Sequence, residues 1–418
     1  MRDKSPASHL AALPFRGKFP GMLLETPFHP RTAALCHSRR WRNWSGYAAA
    51  LSYEPGHEYE YYAVRSGSAL FDVSPLRKYE VTGPDAAALM DRVMTRTVFR
   101  CAVGRVLYTP WCDEAGKLID DGTVQRLSAD TFRVTAADPC LRWFQDCALG
   151  MDAEVRDITL DLAALGLQGP TSRDILARLV TGADIAALPY FALAEGSVGA
   201  APVTITRTGY TGDLGYEIWV RPGHALAVWD ALTEEGRGHG LAPAGLDALD
   251  VARIEAGLLL KEVDYVSAWT ALIESRKSSP YEAGLGWAVQ PRPGRDFVGR
   301  SALEREAAKR SEWAFAGIEV DWPPVEARFA AVGLPPLVAG RASREAVPVF
   351  EDGRQIGYAT SSTFSPILKK YVALATIQRD FTEPGTRVDV ELTVEFVRHK
   401  VPATVVKTPF FDPARKRR

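Results

Sequence analysis

A glycine-rich stretch at residues 207–217 most constrains how this chain can fold, because its glycines recur at every third position. Glycine lets a backbone turn tightly and approach a ligand without obstruction by a side chain. The stretch also contains an aromatic ring, Tyr210, and a carboxylate, Glu217. A flat heterocycle needs both groups, one to stack against and one to accept hydrogen bonds from its N–H edge. The pattern therefore predicts either a turn joining two strands or a binding loop for a flat ring.

Composition and local setting exclude several other classes of function. Apolar, strand-like residues follow the glycine-rich stretch, whereas a dinucleotide-binding fingerprint requires a helix there. A net charge of −1 gives no general attraction to nucleic acid or to an anionic membrane. No apolar run is long enough for a transmembrane helix, and no signal peptide is expected. The 5 cysteines and 7 histidines lack metal-ligand spacing, which predicts no metal and a reduced, cytoplasmic protein.

The order of predicted elements indicates an α+β protein of 418 residues with two or three domains. A strand, a Gly-Pro turn and a helix occur twice, around Gly83 and around Gly169, which predicts two related α+β units. Asp85 is expected to cap the helix that follows the first turn. Apolar spacing predicts a long helix at 244–260. Residues 322–343 are expected to form a loop, and the short strands after residue 346 are typical of a small barrel.

Residues 207–217 read R-T-G-Y-T-G-D-L-G-Y-E. This stretch resembles the signature of the aminomethyltransferase family, which includes the T-protein of the glycine cleavage system and tetrahydrofolate-dependent demethylases. Further segments that resemble the family occur in the expected order between about residues 59 and 411. The resemblance implies a clover-like, three-domain α+β fold with two related α+β units and a small C-terminal β-barrel. The expected parts are an extension at 1–30, a discontinuous first folate-binding domain at 31–79 and 161–265, a second α+β domain at 80–160, and a C-terminal domain at 266–418 with its barrel at about 310–411.

Two adjacent acids, Asp120 and Asp121, lie on a predicted strand, so their side chains point to opposite faces. From the residues alone, both are solvent-facing acids beside a turn. The resemblance implies instead that Asp121 is catalytic and that Asp120 is an outward or supporting partner. A fixed carboxylate stabilises an electron-poor one-carbon unit and relays a proton. The resemblance also implies that Glu217 binds the pterin and that Tyr108 and Tyr210 line the folate pocket, although Tyr108 could equally be a core residue.

The chain departs from the T-protein pattern at positions that lie outside the glycine-rich stretch. Pro75 and Leu76 replace a His-Met pair, and Leu249 replaces an arginine that contacts folate in the family. Arg253 lies one turn later on the predicted helix and is expected to take over that role, or else to pair with Asp250. The basic tail at 415–418 is expected to be solvated.

These observations predict a tetrahydrofolate-dependent one-carbon transferase of the aminomethyltransferase type. The expected partner is a small-molecule one-carbon donor, with a lipoylated carrier protein left open as a further partner, and neither nucleic acid nor a membrane is expected. One alternative is an O-, N- or S-demethylase of a free small molecule, and the departures from the T-protein pattern favour such a free donor. A second alternative is a non-enzymatic folate-binding accessory protein. Accessory proteins of the iron–sulfur repair type carry a cysteine in the corresponding stretch, and residues 207–217 contain none.

Overall fold

The computed structural model describes residues 23–336 and 340–418. Its α-helices are α1 (His29–Leu35), α2 (Glu58–Ser66), α3 (Ala86–Val93), α4 (Leu141–Cys147), α5 (Ser172–Leu179), α6 (Ala225–Gly236), α7 (Leu246–Glu255), α8 (Arg300–Lys309) and α9 (Trp322–Ala330). Its strands are β1 (Arg40–Trp44), β2 (Tyr47–Ser52), β3 (Ser68–Asp72), β4 (Arg77–Thr82), β5 (Val106–Cys112), β6 (Leu118–Arg126), β7 (Thr131–Ala136), β8 (Glu154–Asp157), β9 (Ala163–Gln168), β10 (Val180–Thr181), β11 (Leu193–Val198), β12 (Ala201–Thr206), β13 (Gly215–Val220), β14 (Leu241–Pro243), β15 (Trp313–Val320), β16 (Val347–Glu351), β17 (Arg354–Ser365), β18 (Lys370–Gln378), β19 (Arg387–Val394) and β20 (Val397–Val406).

The N-terminal two-thirds of the described chain contain the two-stranded β1-β2 sheet and two larger sheets. One of the two larger sheets has the strand order β10-β11-β12-β13-β9-β3-β14, and the other has the order β5-β6-β7-β4-β8. Each sheet has its own buried apolar cluster, the first around Trp229 and Tyr216 and the second around Trp111 and Phe144. Helices α5 and α6 pack on one face of the first sheet and α2 and α7 pack on the other, while α3 and α4 pack against the second sheet. The architecture is therefore α+β, as predicted.

The two Gly-Pro turns adopt the same local structure. Gly83 and Gly169 both have positive φ, at 120° and 134°, and each lies just before a helix. A Cβ at either glycine would lie 2.5 Å from a backbone carbonyl oxygen of a neighbouring segment. Only glycine fits such a turn, which explains why the residue type recurs. Asp85 does not cap α3 through its side chain, because its carboxylate instead accepts a 2.8 Å hydrogen bond from the Asp152 N–H.

The C-terminal strands close into a barrel with the order β15-β18-β17-β16-β19-β20, which confirms the predicted small barrel. Residues 322–343 are not a continuous loop, because α9 occupies the first part of that segment. Prolines at the start of this helix caused the error, since proline favours the first helical turn as well as loops. Residues 337–339 of the expected loop, and 1–22 of the expected extension, lie outside the described residues. The domain bounds stated above remain a prediction.

Helix α7 connects the first sheet unit to the barrel. It contacts α2 and β2 on one side and the barrel strands β17 and β18 on the other. The helix spans Leu246–Glu255 and is shorter than the predicted 244–260. It ends because Gly257 adopts a left-handed conformation, with φ of 65°, and the Leu258 N–H bonds back to the Arg253 carbonyl. No helix among the described residues is long and apolar enough to cross a membrane.

Candidate active site

Asp120 and Asp121 lie on β6, where the sheet register places them opposite Trp111 and Pro110 of β5. Successive side chains on a strand point to opposite faces, and the two carboxylates accordingly have different partners. Asp120 is fully buried, and Asp121 keeps a partly accessible surface. The interpretation of both acids as solvent-facing is therefore wrong, and so is the outward position of Asp120.

Two tyrosine hydroxyls hold the Asp121 carboxylate. The Tyr108 hydroxyl donates to Oδ2 over 2.7 Å, and the Tyr265 hydroxyl donates to Oδ1 over 2.5 Å. Burial raises the pKa of Asp121, and the two hydroxyls partly oppose this rise because they stabilise the ionised form. The carboxylate therefore has a fixed orientation. Tyr265 was missed by the sequence reasoning, since it lies 144 residues from Asp121 in no recognisable motif.

Asp120 has a separate and saturated set of partners behind Asp121. Its carboxylate accepts hydrogen bonds from the backbone N–H groups of Asp121, Ala137 and Asp138, at 2.8, 3.1 and 3.1 Å. The Lys261 ammonium lies 3.3 Å from Asp120 Oδ2 and 2.9 Å from the Asp138 carboxylate. Burial raises the pKa of Asp120 to about 7, although Lys261 opposes the rise. Asp120 thus supports the segment that carries Asp121 and places a titratable charge beside it.

The glycine-rich stretch forms the turn between β12 and β13, and it wraps around the side-chain amide of Gln168. A Cβ at Gly209 or Gly215 would lie 1.9 or 2.2 Å from the Gln168 side-chain oxygen. The amide nitrogen donates to the carbonyls of Thr208 and Tyr216, over 3.2 Å in each case. Two of the three spaced glycines are therefore required for close packing on a buried amide.

Glu217 is held by two threonines at one oxygen only. Thr208 and Thr206 donate to Oε2 over 2.6 and 3.2 Å. Within residues 23–336 and 340–418, Oε1 makes no hydrogen bond. Burial raises the pKa of Glu217, and the two threonines oppose the rise. One carboxylate oxygen is thus fixed by the protein and the other is free to accept hydrogen bonds.

Tyr210 connects the glycine-rich turn to the Asp121 site. Its hydroxyl lies within electrostatic range of both Tyr108 and Asp121, and it donates to the Leu259 carbonyl. Tyr108, Tyr210, Asp121 and Glu217 are each enclosed by protein yet partly accessible to solvent. From these two properties we infer an interior cleft lined by these side chains.

Arg253 lies behind this cleft with no accessible surface. Its guanidinium pairs with Asp250 at 3.2 Å and Asp264 at 2.5 Å, and it donates to the Ser361 hydroxyl over 2.7 Å. The pairing with Asp250 that the sequence suggested is therefore present. Direct contact of Arg253 with folate remains a prediction. Burial raises the pKa of Tyr210, and the positive charge of Arg253 opposes this rise.

The basic tail is not solvated as a whole, because Arg415 binds the glycine-rich turn. Its guanidinium donates to both oxygens of the buried Asp213 carboxylate, over 2.6 and 2.8 Å. The same carboxylate lies 3.3 Å from Arg65, which also binds Glu255 of α7 at 2.6 Å. Two carboxylates and two guanidiniums thus balance one another behind the turn.

Comparisons with known proteins show where this arrangement belongs. Residues 30–292 match the family model of the GCVT N-terminal domain, and residues 331–412 match that of the glycine cleavage T-protein C-terminal barrel domain. The chain belongs to the glycine cleavage T-protein family. The resemblance read from the sequence, the fold class and the enzyme class, a transferase of one-carbon groups, are thereby confirmed.

Individual relatives of this T-protein family member differ in length. It is 37% identical over 410 residues to the trimethylamine-oxide aldolase of Ruegeria pomeroyi, a match that covers 95% of this chain and 48% of that protein. It is 34% identical to the aminomethyltransferase of Bacillus subtilis, with 84% and 90% of the two chains covered. The crystal structure of aminomethyltransferase T from Bartonella henselae superposes with a TM-score of 0.79 at 24% identity, covering 94% and 99% of the two chains. The chain therefore spans about half of the first relative and most of the other two.

Two of the positions at which this family member departs from the T-protein pattern meet in one pocket. Pro75 and Leu249 are 174 residues apart in the chain, yet both line a small pocket that also contains Trp41, Trp44 and Asp72. The pocket wall is aromatic and aliphatic, and its charged group is a carboxylate whose pKa burial raises. The resemblance implies a cation at position 249 in the family, whereas the described residues that line this pocket include no lysine or arginine.

No group of three or more histidine, cysteine, aspartate or glutamate residues in the described ranges is placed to hold a metal ion. The five cysteines are buried and free.

Proposed function

We propose that this protein is a tetrahydrofolate-dependent one-carbon transferase with Asp121 as its catalytic carboxylate. The observation that carries the proposal is the position of Asp121, which two tyrosine hydroxyls fix in the same cleft as Tyr210 of the glycine-rich turn. A carboxylate fixed beside an aromatic surface suits the stabilisation of an electron-poor carbon.

The residues present fit a reduced pterin ring. Glu217 offers a free carboxylate oxygen to the N–H groups of such a ring, and Tyr210 offers an accessible aromatic face. Tyr108 would contribute a second aromatic ring to the same cleft, because its hydroxyl lies within electrostatic range of Tyr210. When bound, tetrahydrofolate supplies the nitrogen nucleophile that accepts the one-carbon unit.

The protein's own part in the reaction follows from the charge state of Asp121. As a carboxylate it would stabilise positive charge that develops on the transferred carbon, and it would hold the proton exchanged during transfer. The hydroxyls of Tyr108 and Tyr265 would keep both oxygens of Asp121 oriented throughout. Asp120 and Lys261 would set the local potential without touching the reacting atoms.

We further propose that the donor is a free small molecule. The pocket that Pro75 and Leu249 share with Trp41 and Trp44 is aromatic and lacks the cation of the family pattern, which supports a change in donor choice. The Ruegeria pomeroyi relative is named for trimethylamine oxide, which is itself a free small molecule. The competing donor is an aminomethyl group on a lipoylated carrier protein, as expected from the aminomethyltransferases among the relatives. Free, buried thiols support a reducing, cytoplasmic location.

The test incubates purified protein and tetrahydrofolate with a panel of donors. The panel contains methylated amines, methylated sulfur compounds, methoxy compounds and an aminomethyl-loaded lipoyl carrier, and the readout is formation of methyl- or methylene-tetrahydrofolate. We expect turnover with a free donor and loss of turnover in Asp121→Asn. Turnover of on the order of 1 per second or more with the lipoyl carrier would refute the free-donor proposal. Absence of folate binding by calorimetry would refute the proposed function itself.

A further inference from the structure

Arg96 is a cation without an anionic partner at the edge of the Asp121 site. One of its terminal N–H groups donates to the Tyr108 carbonyl over 2.9 Å. Its Nε is buried without a hydrogen-bond partner. Across residues 23–336 and 340–418, no carboxylate lies within ion-pair distance of it, and burial lowers its pKa. A partly buried guanidinium that lacks an anion is costly to the fold, which points to a ligand that supplies the charge.

The aromatic neighbours of Arg96 lead directly to the catalytic carboxylate. Its guanidinium lies 5.1 Å from the centre of the Trp287 ring. That ring stacks on Tyr108 with centroids 6.1 Å apart and planes 24° apart, and Tyr108 in turn donates to Asp121. The indole is 58% exposed, so part of its surface is accessible to a ligand. A continuous row therefore runs from Asp121 through Tyr108 and Trp287 to Arg96.

Further guanidiniums extend the positive charge around Arg96. Arg105 donates to the Tyr190 carbonyl, and Arg126 donates to the Cys101, Ser128 and Ala129 carbonyls. Neither forms an ion pair with an acid in the part of the chain that the structure describes. Burial raises the pKa of the Cys101 thiol and all three guanidiniums oppose this rise, so their charges act on the same place. This region therefore attracts anions.

We propose that Arg96 and Trp287 form a carboxylate-binding subsite at the mouth of the Asp121 cleft. The guanidinium binds the carboxylate, and the indole stacks on the part of the ligand that leads to it. One source of such a group is the glutamyl tail of tetrahydrofolate, and in that case the inference rests on the proposed function. The other source is a carboxylate on the one-carbon donor.

The test measures binding by calorimetry with two probes, tetrahydrofolate and a tetrahydropterin that lacks the aminobenzoyl-glutamate tail. We expect Arg96→Gln to weaken tetrahydrofolate binding on the order of 10- to 100-fold, the scale of a charge-assisted hydrogen bond. Binding of the tail-free pterin is expected to stay unchanged, because this probe lacks the carboxylate that Arg96 is proposed to bind. Arg96→Lys retains the charge and restores part of the affinity. Exposed Arg100 on the same segment provides the matched control, and Arg100→Gln leaves both affinities unchanged.

The remaining outcomes separate the sources and the two proposals. Unchanged tetrahydrofolate affinity with a raised KM for a carboxylate-bearing donor assigns the subsite to the donor. Equal weakening of both probes, or no effect on folate affinity and on donor KM, overturns the proposal. If wild-type protein binds neither probe, the proposed folate function fails as well. If wild-type protein binds both probes but Arg96→Gln changes nothing, only the subsite fails.

Discussion

Replacement of Tyr265 by phenylalanine tests whether Asp121 acts as a carboxylate. The substitution removes the hydroxyl that donates to Asp121 Oδ1 and retains the buried ring. A hydrogen bond to a charged group contributes about 1.5–3 kcal/mol, and one pKa unit corresponds to about 1.36 kcal/mol. The pKa of Asp121, which burial already raises, is therefore expected to rise by a further ~1–2 units.

The direction in which Tyr265→Phe changes the activity depends on whether the reaction needs the ionised form of Asp121. If the reaction needs the carboxylate, activity rises with pH through the pKa of Asp121. A higher pKa then moves the acidic limb of the pH profile of kcat/KM upward by about 1–2 units and leaves the alkaline plateau nearly unchanged. A variant that only damaged the fold would lower activity at every pH by a similar factor.

The assay is the pH profile of kcat/KM with the donor that the panel identifies. A donor-independent readout is the ¹³C titration of aspartate carboxyls, with the Asp121 signal assigned by its loss in Asp121→Asn. Tyr108→Phe provides a second, independent test. It removes the 2.7 Å hydrogen bond to the other oxygen of Asp121 and should shift the acidic limb in the same direction. An unshifted limb in both variants would refute the role of the two hydroxyls.

Three further predictions concern neighbouring residues. Asp121→Asn should leave the protein folded and able to bind folate while lowering turnover by roughly two to four orders of magnitude, as measured by steady-state kinetics. Unchanged turnover in Asp121→Asn together with a loss of turnover in Asp120→Asn would contradict this prediction. Glu217→Gln should weaken tetrahydrofolate binding by about 1.5–3 kcal/mol in calorimetry, because an amide has one acceptor where the carboxylate has two. Unchanged affinity would remove Glu217 from the pterin site. Lys261→Met removes the cation beside Asp120, so the pKa of Asp120 should rise above its present value of about 7. Because a raised carboxyl pKa contributes stability that is lost as pH rises, thermal unfolding should show a larger deficit at about pH 8.5 than at about pH 5.5, and equal deficits would contradict this reasoning.

Short sequence patterns correctly predicted the features that depend only on neighbouring residues in the chain. The alternation of side chains along a strand gave Asp120 and Asp121 different faces, and the register of β5 and β6 agrees with it. The repeated Gly-Pro turn indicated two related units, because both turns need a residue that tolerates positive φ and a close carbonyl. The barrel followed from short strands and turns.

Features that depend on distant contacts were not predictable from the sequence. Tyr265 reaches Asp121 across 144 residues, and Lys261 reaches Asp120 across 141 residues. The burial of Asp120 was also not predictable, because an acid beside a turn is usually exposed. Only the folded structure shows the backbone N–H groups that surround its carboxylate. The end of α7 was predictable in principle from Gly257, which the apolar spacing around it obscured.

The charge set behind the glycine-rich turn has a consequence for biosynthesis. Arg415 follows Asp213 by 202 residues, so a ribosome adding about 5–20 residues per second delivers it roughly 10–40 s later. During that interval the carboxylates of Asp213 and Glu255 share only the Arg65 guanidinium, and burying them together leaves an uncompensated negative charge. The turn that carries Tyr210 therefore reaches its final electrostatic environment only after the barrel and residue 415 have been made. Assembly of the candidate folate site is thus coupled to synthesis of residues far downstream of its signature.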